Sequence, residues 1–137
     1  MKAWDFEVQK MALTQAGMTL QMRVNEAIAR AALQIEANAK LAIQNPPKTG
    51  RLYRRAGGRM HQASAPGEAP ATDTGNLVNS GQTTRLGFAD YAVSFSTPYA
   101  AALEFGTHNM AARPFLMPAV MKVASRLQED ISRAMSR

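Results

Sequence analysis

The first third of the chain carries a stripe of mostly apolar residues with helical spacing. Between Asp5 and Gln44 there is no proline and a single glycine, and most other residues are good helix formers. The stripe recurs at intervals of three and four: Leu13, Ala16, Leu20, Val24, Ala27, Ala31, Ile35, Asn38 and Ala42. This pattern predicts one long helix from Asp5 to Gln44. It ends before Pro46, since the residue preceding a proline avoids helical geometry.

Apolar periodicity is lost between residues 46 and 73. This segment contains four prolines and four glycines. A structureless loop of more than about 15 residues is uncommon in a compact domain, and it is usually functional or disordered. We predict an extended arm that is mobile in the free chain and becomes ordered against neighbouring subunits.

Short strand patterns follow from Asn76. The runs "NLVNS", "TTRLGF" and "YAVSFS" are separated by turn residues. In the last run, Tyr91, Val93 and Phe95 alternate with smaller residues, which predicts a strand with one buried face. Pro98 ends the sheet.

Two helices are predicted after the strands. The first runs from Tyr99 to Phe105 and is followed by Gly106 as its cap; its inward-facing candidates are Tyr99, Ala102, Leu103 and Phe105. The second has Pro118 in its first turn. Its apolar stripe consists of Ala119, Val123, Leu127, Ile131 and Met135.

These elements predict an α+β fold. A small, mainly antiparallel sheet of three to four strands would pack on the long N-terminal helix and the C-terminal helix. The length of 137 residues fits a single domain, 1–137. Its parts are a long helix (1–45), a flexible basic arm (46–73), and a unit of sheet, short helix and C-terminal helix (74–137).

Composition narrows the class of protein. The chain has no cysteine, which excludes disulfides, thiolate metal sites and cysteine nucleophiles. No run approaches the roughly 18 apolar residues of a membrane span, and the N-terminus lacks the apolar region of a signal peptide. We expect a soluble protein made in the cytoplasm.

The net charge of +6 is concentrated in the arm. Between residues 45 and 70, five basic residues oppose Glu68 alone. They are Lys48, Arg51, Arg54, Arg55 and Arg59. One interpretation is that they contact an acidic partner or phosphates; the other is a solvated basic loop.

Candidate catalytic chemistry is sparse. His61 and His108 each lack a second histidine or a paired carboxylate at metal-ligand spacing. No glycine-rich phosphate loop, nucleophile elbow or carboxylate pair is present. We therefore predict no enzyme activity, no metal and no cofactor. Glu104 is expected to accept hydrogen bonds from backbone amides or to pair with Arg113.

Three segments carry a family resemblance: "APGEAPATDTGNLVNS", "YAVSFSTPYAAALEFGTH" and "ARPFLMPAV". In this order and spacing they resemble tail-component and neck proteins of tailed bacteriophages. The matching residues are Thr74, Gly75, Leu77, Ser80, Tyr99, Ala100, Glu104, Phe105, Gly106, Thr107, Arg113, Pro114, Phe115, Leu116, Pro118 and Ala119. The earlier "KTGRLYRR" is similar to another feature of that family.

The resemblance implies a structural virion protein that assembles as a homo-oligomeric ring, with a hexamer as one option. It implies a position at the head–tail junction, in contact with other head-completion and tail proteins. DNA would only pass through the channel, and no membrane is involved. The protein would be made in the cytoplasm of the host bacterium. In this interpretation the segment Pro114-Phe115-Leu116 joins the sheet to the C-terminal helix.

Two further expectations remain. The N-terminal end of the long helix would project and pack on a neighbouring subunit, because about 40 helical residues span some 60 Å. The alternative function is a basic nucleic-acid-binding module that contacts phosphates through the arginine-rich arm.

Overall fold

The computed structural model describes residues 4–5, 15–45, 48–71 and 74–136. In chain order, the elements are β1 (Trp4–Asp5), α1 (Gln15–Gln44), β2 (Leu52–Arg54), β3 (Met60–Gln62), α2 (Asn76–Asn79), β4 (Gly81–Gly87), β5 (Asp90–Phe95), α3 (Ala100–Phe105) and α4 (Met117–Met135).

The core lies between α1, α4 and the sheet formed by β4 and β5. On α1 the buried residues recur with helical spacing: Val24, Ala27, Ile28, Ala31, Ala32, Ile35, Ala39 and Ile43. On α4 they are Ala119, Val123 and Leu127, as predicted. Helix α1 therefore packs on α4 and on both long strands of the sheet, and the predicted α+β class is confirmed.

The main sheet is antiparallel with the order β1-β5-β4. Strands β4 and β5 pair from Gly81↔Phe95 to Gly87↔Asp90, and β1 adds the pairs Trp4↔Tyr91 and Asp5↔Asp90 on the other edge. The sheet therefore has three strands, the lower end of the three to four predicted, and one of them, β1, is only two residues long.

The N-terminal helix starts later than predicted. α1 begins at Gln15, whereas Asp5 lies in strand β1. A helix starting at Asp5 is therefore wrong, because this residue pairs with the open edge of β5. The predicted helical residues 6–14 lie outside the described part of the chain.

The segment "NLVNS" is a one-turn helix, α2, and the predicted strand is wrong. A strand would place Leu77 and Val78 on opposite faces, but both are buried, and a helical turn achieves this. Gly75 enters the turn with φ 82°, a left-handed conformation that suits glycine. The Ser80 hydroxyl donates to the Leu77 carbonyl at 2.7 Å.

The orientation of α3 also differs from the prediction. Its buried residues are Ala100 and Glu104, whereas the side chains of Tyr99 and Phe105 are 44% and 66% exposed. Ala102 and Leu103 are half-buried. The inward orientation predicted for Tyr99 and Phe105 is wrong, because the carboxylate of Glu104 faces the interior to bind the start of α4.

Residues 48–71 contain a β-hairpin that the sequence did not predict. Strands β2 and β3 pair antiparallel through Tyr53↔His61 and its neighbours, and Gly57 and Gly58 at the turn both have positive φ. The Gly-Gly pair is a turn signal, but the short flanking strands lack apolar alternation. Mobility of this arm in a free monomer stays a prediction.

The side chain of Glu68 joins the two ends of the hairpin segment. It accepts hydrogen bonds from the backbone N–H of Thr49 (2.9 Å) and of Ala65 (2.8 Å), and from the Thr49 hydroxyl. These bonds, first that of the Thr49 hydroxyl, lower the pKa of Glu68 to about 2. Its ionised form thus holds the end of the segment, at Ala65 and Glu68, to Thr49 near its beginning.

We predict a pH dependence from this carboxylate. Its pKa is depressed in the folded state, so its stabilising contribution is present above the ordinary value of 4.5 and is lost as the pH falls towards 2. The difference in unfolding free energy between wild type and Glu68→Gln should therefore shrink across this range. Urea denaturation at each pH measures it, with Glu129→Gln as the exposed control. A difference that stays constant down to pH 2 contradicts the prediction.

Candidate functional site

The carboxylate of Glu104 binds the first turn of α4. Its Oε2 accepts from the backbone N–H of Phe115 (2.9 Å) and Leu116 (3.0 Å), and its Oε1 accepts from that of Met117 (2.8 Å). Amides at a helix start have no acceptor within the helix, and a negative charge there is favourable. Two roles were expected for Glu104, and the structure shows the first: it accepts hydrogen bonds from backbone amides.

The turn between α3 and α4 depends on Gly106. Its φ is 75°, and a Cβ there would lie 2.8 Å from the Ala112 nitrogen and 2.9 Å from the Met110 oxygen. Beyond it, the N–H of Arg113 donates to the Leu103 carbonyl at 2.6 Å. The backbone from α3 to α4 thus folds back closely on itself.

The segment after this turn belongs to the core. Phe115 and Leu116 are each 2% exposed. The ring of Phe115 meets that of Phe95 on β5 edge-to-face, with centroids 5.0 Å apart. The predicted role of Phe115 in joining the sheet to the C-terminal helix is confirmed.

A pocket of about 400 Å³ lies between the β2–β3 hairpin and helices α2 and α3. All three resemblance segments reach it: Thr74 and Gly75 from the first, Tyr99 from the second, and Arg113 from the third. The hairpin contributes the opposite wall. Residues far apart in sequence therefore meet at one concave surface, which the sequence did not predict.

The hairpin wall is aromatic and basic. Tyr53 and His61 are cross-strand partners whose rings meet edge-to-face at 5.3 Å, and the guanidinium of Arg55 lies 5.8 Å from the Tyr53 ring centroid. Arg55 lies two residues after Tyr53, just past the end of β2, and residues two apart in extended chain point to the same side. Their spacing in the sequence was therefore a usable signal. The missing information was which element this face would meet.

The five basic residues named from the sequence do not share one environment in the structure. The Nζ of Lys48 donates to the carbonyls of Ala42 (2.7 Å) and Ala69 (2.9 Å), and burial lowers the pKa of its amine. Arg55 lines the pocket. The others, Arg51, Arg54 and Arg59, are exposed on the hairpin. Lys48 is therefore a structural residue, and the candidate phosphate contacts reduce to the hairpin arginines.

The outer face of α1 carries large apolar side chains. Met18, Met22 and Leu33 are exposed and lie four and eleven residues apart, close to one and three helical turns. They occupy the side away from the buried stripe. At the turn between β4 and β5, Leu86 and Phe88 are also exposed.

No metal site is evident in the described residues, where no three His, Asp or Glu side chains group together. Among the helices of this part of the chain, none is long and apolar enough to cross a membrane. Comparison of the chain with family models, curated proteins and solved structures finds no match.

Proposed function

We propose that the chain is a structural protein of a tailed bacteriophage or prophage virion. It would act at the head–tail junction as a neck or tail-completion component and assemble as a ring. The resemblance of residues 65–80, 91–108 and 112–120 to tail-component and neck proteins supports the class. The partners would be further copies of itself, with a hexamer as one option, together with other head-completion and tail proteins.

The work done by the resemblance segments supports a structural role. Glu104 accepts three backbone amides, Gly106 permits the close turn, and Phe115 fills the core. Each of these polar or special positions is explained by folding. This favours a scaffold whose shape matters over an enzyme, and DNA would only pass through the channel of the assembled ring.

The observation that carries the assembly is the second apolar face of α1. Met22 is 62% exposed, although burying such a side chain is worth about 1.5–3 kcal/mol. Contiguous exposed apolar residues mark interaction surfaces on soluble proteins. A neighbouring copy packed on this face would remove it from water.

The β4–β5 turn extends this surface. The N–H of Ala89 donates to the Asn25 Oδ1 at 2.8 Å, which holds the turn against α1. Met22 lies three residues before Asn25, so it occupies the same side of the helix one turn earlier. Phe88, which is 50% exposed, is adjacent to Ala89. We define Met18, Met22, Leu86 and Phe88 as the assembly surface.

We predict that the double variant Met22→Gln, Phe88→Ser weakens self-association at least tenfold and leaves the fold intact. Two large apolar side chains leave the interface, and each contributes about 1.5–3 kcal/mol when buried. Size-exclusion chromatography with light scattering measures the mass, negative-stain imaging shows rings, and circular dichroism confirms helix content.

The matched control is Met121→Gln on α4, since Met121 is at least as exposed as Met22 but lies outside the assembly surface. It should form the same oligomer as the wild type. A wild-type chain that stays monomeric at high concentration would refute the assembly, and so would a double variant that still forms the ring.

The second candidate function is phosphate binding by the hairpin. It is favoured by the exposure of Arg54 and Arg59 near the Gly57–Gly58 turn and of Arg51 at the other end of the hairpin. Such binding would weaken steeply between low and moderate salt, because it depends on the release of counterions. Association through apolar side chains lacks this steep dependence, which separates the two candidates.

A further inference from the structure

The pocket between the hairpin and helices α2 and α3 has a floor and a rim of different chemistry. Its apolar lining residues, which we call the floor, include Ile43, Leu77, Val78 and Leu103. Arg55 and Arg113 also line it, and we call these two cationic residues the rim. The volume of about 400 Å³ lies within the usual range of sites for small ligands or a few peptide residues.

Arg113 indicates that the ligand carries a negative charge. Its Nε is buried and has no hydrogen-bond acceptor in the part of the chain that the structure describes. A buried guanidinium donor without an acceptor is costly, and a carboxylate matches its planar donors in geometry and charge. Among the described residues that line the pocket, none is an Asp or Glu that could supply this carboxylate.

The floor points to the rest of the ligand. An apolar floor beneath a cationic rim fits a group with an apolar side chain and a carboxylate close together. Tyr53 and Tyr99 add aromatic walls with polar ends, which suits a peptide that enters from solvent. The phosphates of a duplex are hydrated and bring no apolar group to fill the floor.

We propose that this pocket binds a peptide segment in which a carboxylate lies next to an apolar side chain, as at an acidic residue or a chain end of a partner protein. Arg113 and Arg55 hold the carboxylate, and Ile43 with Leu77 contacts the apolar side chain. The site shares no residue with the assembly surface, so peptide binding can be tested independently of ring formation.

The test is an NMR titration of the full chain with N-acetyl-leucine and, as the matched probe, N-acetyl-leucinamide. The two differ in the carboxylate alone. We expect the acid to shift the signals of Thr74, Asn76 and the Arg113 side chain, and to bind at least tenfold more tightly than the amide. Equal affinity of acid and amide overturns the proposal, and so does the absence of shifts at tens of millimolar.

Variants locate the site. Arg113→Gln and Arg55→Gln should each weaken binding of N-acetyl-leucine at least fivefold, whereas Arg59→Gln on the exposed hairpin should not. Arg55→Gln keeps the test valid if Arg113→Gln fails to fold, because Arg55 is exposed and stacks on Tyr53. Unchanged affinity in Arg55→Gln overturns the proposal.

Two further probes exclude other ligands. Inorganic phosphate should bind more weakly than N-acetyl-leucine, since it cannot use the floor. A short DNA duplex at low salt should leave the Arg113 and Thr74 signals in place. A duplex that shifts these signals would assign the pocket to nucleic acid, and phosphate of equal affinity would reduce it to a simple anion site; either result overturns the peptide proposal.

Discussion

Phe115→Ala is expected to lower the free energy of unfolding by about 3–5 kcal/mol, the usual range for truncating a buried aromatic residue. Phe115 is 2% exposed and meets Phe95 edge-to-face at 5.0 Å. The substitution removes this ring contact and opens a cavity between the sheet and α4. For a domain of this size the melting temperature should fall by more than about 10 °C.

Phe105→Ala is the matched control. It makes the same chemical change on α3, but the Phe105 side chain is 66% exposed. Its effect should stay within about 0.5 kcal/mol, as for most surface substitutions. Urea denaturation of both variants gives the comparison. If both lose stability equally, or Phe115→Ala melts like the wild type, the assignment of Phe115 to the core is wrong.

The elements predicted well from the sequence are those whose burial extends over many residues. Ile35 and Val24 on α1, and Val123 and Leu127 on α4, bury their side chains at helical intervals. A pattern sustained over 19 or 30 residues leaves little ambiguity about the face that packs. Strand β5 was predicted for the same reason, since its alternation runs through the buried Val93.

The elements missed are short and depend on their partners. In α2, the adjacent pair Leu77-Val78 suits a strand as well as a helix, and the deciding factor is that both contact the core. Strand β1 forms because its two residues pair with the edge of β5. A pattern of two residues cannot indicate such a pairing. The β2–β3 hairpin has a Gly-Gly turn, but Leu52 and Met60 on its outer face are exposed, so no apolar pattern marks it.

Single residues of the candidate site were named from the sequence, but the surface that they form together was not predicted. The sequence named Thr74, Tyr99 and Arg113 as parts of the resemblance, and it named Arg55 as one of five basic residues. Their meeting around one pocket follows from the placement of the hairpin against α2 and α3. Such long-range placement has no local pattern, which is why Lys48 was grouped with the hairpin arginines although its amine binds two internal carbonyls.

Glu104 illustrates how a residue in a functional-looking position can serve the fold. It is 5% exposed, and an unpaired carboxylate would be very costly there. The hydrogen bonds to three backbone amides compensate for this cost and fix where α4 begins. Both Phe115 and Leu116 take their positions in the core through these bonds.

Glu104→Ala should therefore lower the free energy of unfolding by about 3–5 kcal/mol. The buried amides lose their acceptor, and each such loss costs about 1–3 kcal/mol. Glu104→Gln keeps one acceptor oxygen but turns an NH₂ group towards an amide donor, so its loss should be smaller, about 2–3 kcal/mol. Hydrogen exchange should accelerate first at Phe115, Leu116 and Met117, ahead of the rest of α4.

Glu129→Gln provides the control on the exposed surface of α4, and it should change neither stability nor exchange. Stability should decrease in the order wild type, Glu104→Gln, Glu104→Ala only if the carboxylate acts through its acceptor atoms. If the role of Glu104 were simply to fill space, the nearly isosteric Gln would match the wild type. Equal stability of Glu104→Gln and wild type, with unchanged exchange at Phe115, would thus contradict the proposed role of its hydrogen bonds.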